Sequence, residues 1–393
     1  MTLTVSAEEA LLITVAGRRC AVPVDPHAAP LRWERVLELA QWHRLVPLLW
    51  DHLRAPDPSL PVPAPVLDAL RDAARVSTAR SLNLQHEMGR ILALLDREGV
   101  PVILLKGAAL VEAVYPHPGQ RTMVDLDLLV PRADIERAHG LVQTLGYSVG
   151  GARVARDDDH VLATYHHHYP LRRDGGAVIV ELHQGLVDDR PDFDVQGIWD
   201  RARPSDQGGH RHLLQAPEDL ALHVAMHFAK DRMSRHESAL GQLADLVRIV
   251  EQLPIDWDVT IERARASCVA DRLFVALASA QLLFGDLVPA GVVAALEPPR
   301  YSVERGELMV RRRVLTSGPS LPLESLSHGL RRMFPPVLAL EGYVRPDEAT
   351  PSTLRLRGRR WRALARRLVT QMPHPRELVR DARLSRWMVS LRR

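Results

Sequence analysis

Residues 121–132 read RTMVDLDLLVPR, and two aspartates, Asp125 and Asp127, sit inside a run that is otherwise apolar. Side chains alternate between the two faces of a β-strand. Val124, Leu126 and Leu128 therefore face one way, and Asp125, Asp127 and Leu129 the other. Neighbouring carboxylates repel, and burying them unpaired is costly. A positive charge between them removes both problems. A divalent metal is the natural candidate, because Mg²⁺ prefers carboxylate oxygens and completes its shell with substrate phosphates. Taken alone, the motif also reads as a charged edge strand kept soluble by its aspartates.

The segment 177–184, AVIVELHQ, supplies a third carboxylate. Val178, Val180 and Leu182 share one face of a predicted strand, and Ile179, Glu181 and His183 share the other. Asp125, Asp127 and Glu181 on neighbouring strands could hold two metal ions, the arrangement suited to in-line phosphoryl or nucleotidyl transfer. Upstream, VPVILLKG (100–107) reads as a buried strand ending in Lys106-Gly107, and AALVEAVY (108–115) as a short helix. Lys106 and Lys230 are the chain's two lysines in a composition whose other basic residues are arginine. A lysine that persists against that bias points to a chemical need at Lys106.

Helical periodicity surrounds this segment. Leu84, Met88, Ile91 and Leu95 recur at helix spacing before Gly99, and Ile135, Ala138, Val142 and Leu145 before Gly146. Two further strands are expected over Thr164–Leu171 and Ala177–His183, joined by a turn at Arg172–Gly176. After His183 no further strand is expected, and helices are expected over Pro217–Ala229 and Ser238–Leu253, with more helix to about Leu296. The Pro-rich stretch Ala55–Pro65 separates an N-terminal helical piece. The division expected is an N-terminal helical region (1–80), a mixed α/β core (81–205), a helical substrate or acceptor domain (206–300) and a helical, arginine-rich end (301–393).

Bulk properties exclude several classes. Two cysteines, Cys20 and Cys268, make no disulfide framework and fit a reducing compartment. The N-terminal stretch has Glu8 and Glu9 where a signal peptide needs apolar residues, and the apolar run Leu273–Gly285 is too short to span a bilayer. A cytoplasmic protein with no membrane partner is expected. The formal charge of +3 is uneven. From Pro351 to Arg393, 13 arginines face Glu377 and Asp381, a net +11, so the rest carries 3 − 11 = −8. Such a tail, with Trp361 in LRLRGRRWRALARRL (354–368), reads either as a solvated helical face or as a surface for RNA or an acidic partner.

The order Lys106-Gly107, Tyr115, Arg121, Asp125-Leu126-Asp127-Leu128-Leu129-Val130 and Glu181-Leu182-His183 resembles the nucleotidyltransferase superfamily typified by DNA polymerase beta. More closely, it resembles the bacterial family of uncharacterised nucleotidyltransferases. The resemblance runs from about Leu84 to Val250 and takes in PEDLALHVAMH (217–227) and Leu-Ala-Asp-Leu (243–246). It implies an α+β fold: a small mixed β-sheet core flanked by helices, with a mainly helical C-terminal half. It also implies Asp125 and Asp127 as ligands of both metals and Glu181 as the third carboxylate. Many superfamily members carry Gly-Ser where this chain has Lys106-Gly107. Gly107 still allows close backbone approach at a helix N-terminus, and Lys106 supplies charge in place of the hydroxyl.

Arg121 suits a triphosphate, since guanidinium pairs well with phosphate. His183 shares the face of Glu181 and either orients it or contacts phosphate. In HHHY (166–169) alternating faces keep the three histidines from sharing one ion, and His166 and His168 read either as structural or as facing the cleft of Glu181. His223 and His227, one helical turn apart, read as helix packing or as a ligand pair. Asp245 on an apolar helix calls for a polar partner, with Lys230 or a histidine expected. The function read from these residues is transfer of a nucleoside monophosphate from an NTP, ATP among them, to a hydroxyl of a small molecule, peptide or glycan. Mg²⁺ (two ions, with Mn²⁺ as a substitute) is the expected cofactor. The alternatives are a toxin-like nucleotidyltransferase acting on tRNA and a non-catalytic nucleotide-binding scaffold. The sequence does not fix the oligomeric state.

Overall fold

The computed structural model describes residues 3–27, 29–54, 60–149, 167–186, 193–206, 208–234, 239–299 and 301–315. The arginine-rich tail and His166 lie outside them. Helices α1 (Ala7–Gly17), α2 (Trp33–Trp42) and α3 (Val46–Leu53) precede the long α4 (Ala64–Arg97). Then come β1 (Ile103–Leu104), α5 (Lys106–Ala113), β2 (Leu126–Leu129), α6 (Ile135–Thr144), β3 (Ser148–Val149), β4 (Leu171–Arg173) and β5 (Val178–His183). After α7 (Val195–Arg201), β6 (Arg203–Ser205) and β7 (His212–Leu214), the described chain is helical. Its elements are α8 (Pro217–Ser234), α9 (Ala239–Gln252), α10 (Trp257–Ala266), α11 (Ala270–Phe284), α12 (Val292–Leu296) and α13 (Val303–Met309), followed by a π-helical turn over Val310–Leu315.

The seven strands form one mixed sheet in the order β3-β4-β5-β2-β1-β7-β6. β2 runs parallel to β5 and β1 parallel to β7, and the other pairs are antiparallel. This is the α+β architecture that the sequence pattern implies. Every residue of β2 is buried, because a strand at the middle of a sheet with helices against it has no solvent face. The same burial encloses Asp127.

Sequence and structure differ at several places, the first being β6 and β7, which add two strands beyond His183 because β7 pairs in parallel with β1 at the sheet's other side. The run 100–107 yields strand only at Ile103–Leu104, and Lys106 opens α5 rather than ending a strand. Lys106 itself has φ 45°, an unusual conformation for a side-chain-bearing residue. β2 begins at Leu126, so Asp125 stands just before it. Of the strand expected over Thr164–Leu171, Thr164–His166 lie outside the described residues, His167 makes a lone bridge with His183, and regular pairing starts at Leu171. The turn after β4 is as expected, with Gly175 and Gly176 both at positive φ. Among the described residues, no helix is long and apolar enough to cross a membrane.

The helix at 84–95 extends to 34 residues; Leu84, Ile91 and Leu95 are fully buried and Gly99 at φ 70° follows its end. Of the N-terminal helices, α1 lies against α9 and α11 of the C-terminal part, and α3 against the long α4. One close approach matters for the site. At Gly241 in α9, an added Cβ would lie 2.5 Å from the backbone carbonyl of His43. Only glycine lets α9 approach the His43–Arg44 turn so closely, and Arg44 there has φ 57°. Gly241→Ala forces backbone to move and is expected to lower unfolding free energy by about 1–3 kcal/mol, the usual range for overpacking. Urea denaturation of the two proteins checks this, and an unchanged midpoint contradicts it.

Candidate active site

The pairing of β2 with β5 sets Asp127 directly beside Glu181, and Leu129 beside His183. Paired residues on adjacent strands point to the same face, so the carboxylates of Asp127 and Glu181 converge. Ligand atoms of Asp127, Glu181 and His183 all lie within 4.8 Å of one another. On the other side of β2, the antiparallel partner β1 ends where β2 begins, and Leu105 N–H donates to the Asp127 carbonyl over 3.0 Å. That places the next residue, Lys106, over the same carboxylate. Asp125, half-buried, lines the cleft beside them.

Asp127 is 2% exposed and its Oδ1 accepts from two donors: Lys106 Nζ at 2.7 Å and His183 Nε2 at 2.8 Å. His183 Nε2 also lies 3.6 Å from Glu181 Oε2. Burial pushes the Asp127 carboxyl up, but the Lys106 charge and the His183 bond outweigh it and hold it well below the ordinary range. Glu181 follows the same logic: burial raises it, and the His183 hydrogen bond brings it below its usual value. Both are thus ionised at neutral pH. Asp125 behaves oppositely. Burial and then the Asp127 charge outweigh the help it gets from Lys106, and its carboxyl is pushed up to about 6. Two ionised carboxylates and a third poised near neutrality, in one cleft, form a site suited to a divalent cation.

A second polar layer lies behind. Asp245 of α9 accepts from Tyr115 Oη at 2.7 Å and from Arg121 Nε at 2.7 Å. The partners of Asp245 are therefore Tyr115 and Arg121 rather than Lys230 or a histidine. Arg248, one turn on, sits 5.0 Å over the Tyr115 ring. Arg121 lines the cleft but spends its Nε on this pair and donates Nη1 to the Thr122 carbonyl. His223 and His227 both line the cleft. Each spends its Nδ1 on a glutamine: His223 Nδ1 bonds Gln215 Oε1 at 3.1 Å, and His227 Nδ1 accepts from Gln242 Nε2 at 2.8 Å.

The histidine run departs from the cleft reading. His168 turns away from Glu181: it stacks on His139 with centroids 3.8 Å apart and reaches Glu136 of α6 at 3.2 Å. His167, bridged to His183, is the member on the Glu181 side, with its ring 5.5 Å from that of His183. The register slips by one because the pairing partner is His183, and a slip of one residue exchanges faces. Arg44 also lines the cleft and its charge eases the ionisation of Asp125. Sequence reading missed it. Nothing local marks an arginine in a helix–helix turn, about eighty residues before the D-x-D, as part of the same cleft.

Against known proteins, the chain matches the family described as uncharacterised nucleotidyltransferase over residues 29–285. That is more than half its length, and the chain belongs to that family of nucleotidyltransferases. None of the curated proteins matches it. Among solved structures, an antigenic nucleotidyltransferase-like protein from Paracoccidioides brasiliensis aligns at 20% identity and TM-score 0.29, covering 44% of this chain and 75% of that one. The antibiotic-resistance factor ANT(2'')-Ia aligns at 18% identity and TM-score 0.27, covering 52% of this chain and 91% of that one.

The two acidic sites predict opposite stability effects. Asp245→Ala leaves Arg121 largely buried without its carboxylate, and a loss of about 3 kcal/mol or more is expected. Asp125 has a folded value near 6 against an ordinary 3.8. Its ionised form therefore opposes folding, weakly below the ordinary value and fully above about 6. Asp125→Asn should raise the Tm of the metal-free protein at pH 7 and leave it nearly unchanged at pH 4. Calorimetric melts at both pH values check the sign; a lower Tm at pH 7 contradicts it.

Proposed function

We propose that the chain moves a nucleoside monophosphate from an NTP to a hydroxyl of a small molecule, peptide or glycan, with Asp125, Asp127 and Glu181 gathering Mg²⁺, or Mn²⁺ in its place. The observation that carries this reading is the register that sets Asp127 against Glu181 on adjacent parallel strands. The donor set suits a hard cation: Asp127 and Glu181 are ionised with ligand atoms within 4.8 Å of each other, and Asp125 lines the same cleft. When bound, one or two such ions supply positive charge at the α-phosphate and acidify the acceptor hydroxyl.

The protein's own groups do the rest. Lys106, now on Asp127, can exchange that partner for phosphate when another cation takes its place on the carboxylate. Gly107 opens the first turn of α5, where backbone N–H groups favour an anion. Arg121, anchored by Asp245, presents charge along the same wall. His183, buried beneath the carboxylates, donates to Asp127 and fixes its orientation. The facing wall, from α8 and α9, is where the acceptor would sit, consistent with 206–300 as the acceptor-binding part. The basic tail that invites an RNA reading lies outside the described residues, so the tRNA alternative gains no support from the fold.

Two outcomes are expected. Asp127→Asn or Glu181→Gln abolishes Mg²⁺-dependent ATP binding by calorimetry and pyrophosphate release with any of the four NTPs, and chelation with EDTA does the same to the wild type. Wild-type-like binding in Asp127→Asn sinks the reading. Nucleotide affinity also weakens as pH falls through about 6. Asp125 must lose its proton to share a cation, so each unit below that value costs about tenfold. A flat profile from pH 7.5 to 5 contradicts a ligand role for Asp125.

A further inference from the structure

His223 is 2% exposed, yet it lines the cleft with Lys106, Asp125 and Asp127. Among the described residues, the bond from Nδ1 to Gln215 Oε1 is its one hydrogen bond. With the Gln215 amide placed oxygen toward the ring, the proton sits on Nδ1 and Nε2 carries a lone pair. Gln215 is itself buried and directly follows β7, which ties the ring's orientation to the sheet. Burial and then the Lys106 charge hold the imidazole well below its usual range, so it stays neutral.

Nε2 makes no hydrogen bond among the described residues, and a lone pair on a ring that lines the cleft takes only a donor. Phosphate oxygens offer lone pairs and are repelled. An ammonium meets Lys106, Arg121 and Arg44 on the same walls, where Asp127 and Asp245 are already paired to Lys106 and Arg121. Metal ligation does not account for the ring either: the converging set comprises Asp127, Glu181 and His183. What fits is an uncharged donor, and in nucleotidyl transfer that group is a hydroxyl.

We propose that His223 reads a ligand hydroxyl, with Nε2 accepting its hydrogen bond, either from the ribose of the nucleotide or from the acceptor. The assignment rests on the nucleotidyl-transfer reading above. It makes one face of α8 a specificity element and gives a function to a histidine that the metal site leaves unused.

The test uses the full-length protein with Mg²⁺ and three probes, ATP, 2′-deoxy-ATP and 3′-deoxy-ATP, with glycerol as a model hydroxyl acceptor. His223→Asn keeps a polar group toward Gln215 and removes the Nε2 position, whereas His223→Gln returns an acceptor oxygen near it. Losing a neutral hydrogen bond should cost His223→Asn about tenfold. If the ribose is read, ATP affinity falls while one deoxy analogue binds as before. If the acceptor is read, affinities hold and AMP transfer to glycerol slows. In either case His223→Gln recovers most of the loss, which a purely structural role would not produce. The proposal is overturned if His223→Asn matches the wild type in all affinities and in transfer, or if His223→Gln is no better than His223→Asn. If His223→Asn does not fold, His223→Gln alone decides: it must keep the wild-type ratio of ATP to deoxy-ATP affinities and the wild-type transfer rate, and a loss of both overturns the proposal. A wild-type protein that binds none of the NTPs removes the nucleotidyl reading itself, and that result is visible before any variant is made.

Discussion

The site depends on one constraint: β2 and β5 run parallel with Asp127 opposite Glu181. Two carboxylates so placed in a buried sheet cannot stand without positive charge nearby. Lys106 and His183 supply it, one delivered by the strand on the other side of β2 and the other by β5 itself two residues beyond Glu181. Three adjacent strands thus meet at one carboxylate. Shifting β5 by one residue would turn Glu181 and His183 to the opposite face and leave Asp127 with Lys106 alone. Such a shift would also separate the groups that make a cation site.

The same arrangement explains where the fold carries tension. Lys106 takes a positive φ at the mouth of α5, and Arg44 takes one in the turn held against Gly241. Asp125 is pushed toward its protonated form by its neighbours. Unfavourable backbone and electrostatic terms of this kind collect where ligands bind, and the surrounding packing offsets them. Behind the carboxylates, the buried Tyr115–Asp245–Arg121 network ties α5 and the segment before β2 to α9. The two walls of the cleft are therefore held to each other by charge-assisted hydrogen bonds as well as by apolar packing.

Much of this was legible from residue order. Alternation in MVDLDLLV and AVIVELHQ placed Asp127 and Glu181 on converging faces, because a strand's period of two is rigid. Helix periodicity found the cores of α4, α6, α8 and α9, since a buried stripe repeats at fixed spacing. What failed was whatever depended on which strand pairs with which residue. His168 was one candidate for the cleft beside Glu181 and His167 is found there, a one-residue slip set by the bridge to His183. Asp245 was expected to meet a lysine or histidine and meets Tyr115 and Arg121, more than a hundred positions away in the chain. Arg44 carries no local signature at all. The role of Gly241 is likewise visible only once α9 and the turn after α2 are brought together.

The most direct test is a crystal structure with Mn²⁺ and a non-hydrolysable ATP analogue, located by manganese anomalous scattering. The account predicts an anomalous peak bonded to both Asp127 and Glu181, Lys106 moved from Asp127 onto phosphate, and the triphosphate at the start of α5. Manganese bound elsewhere, with Lys106 still closing on Asp127 beside an ordered nucleotide, would contradict it.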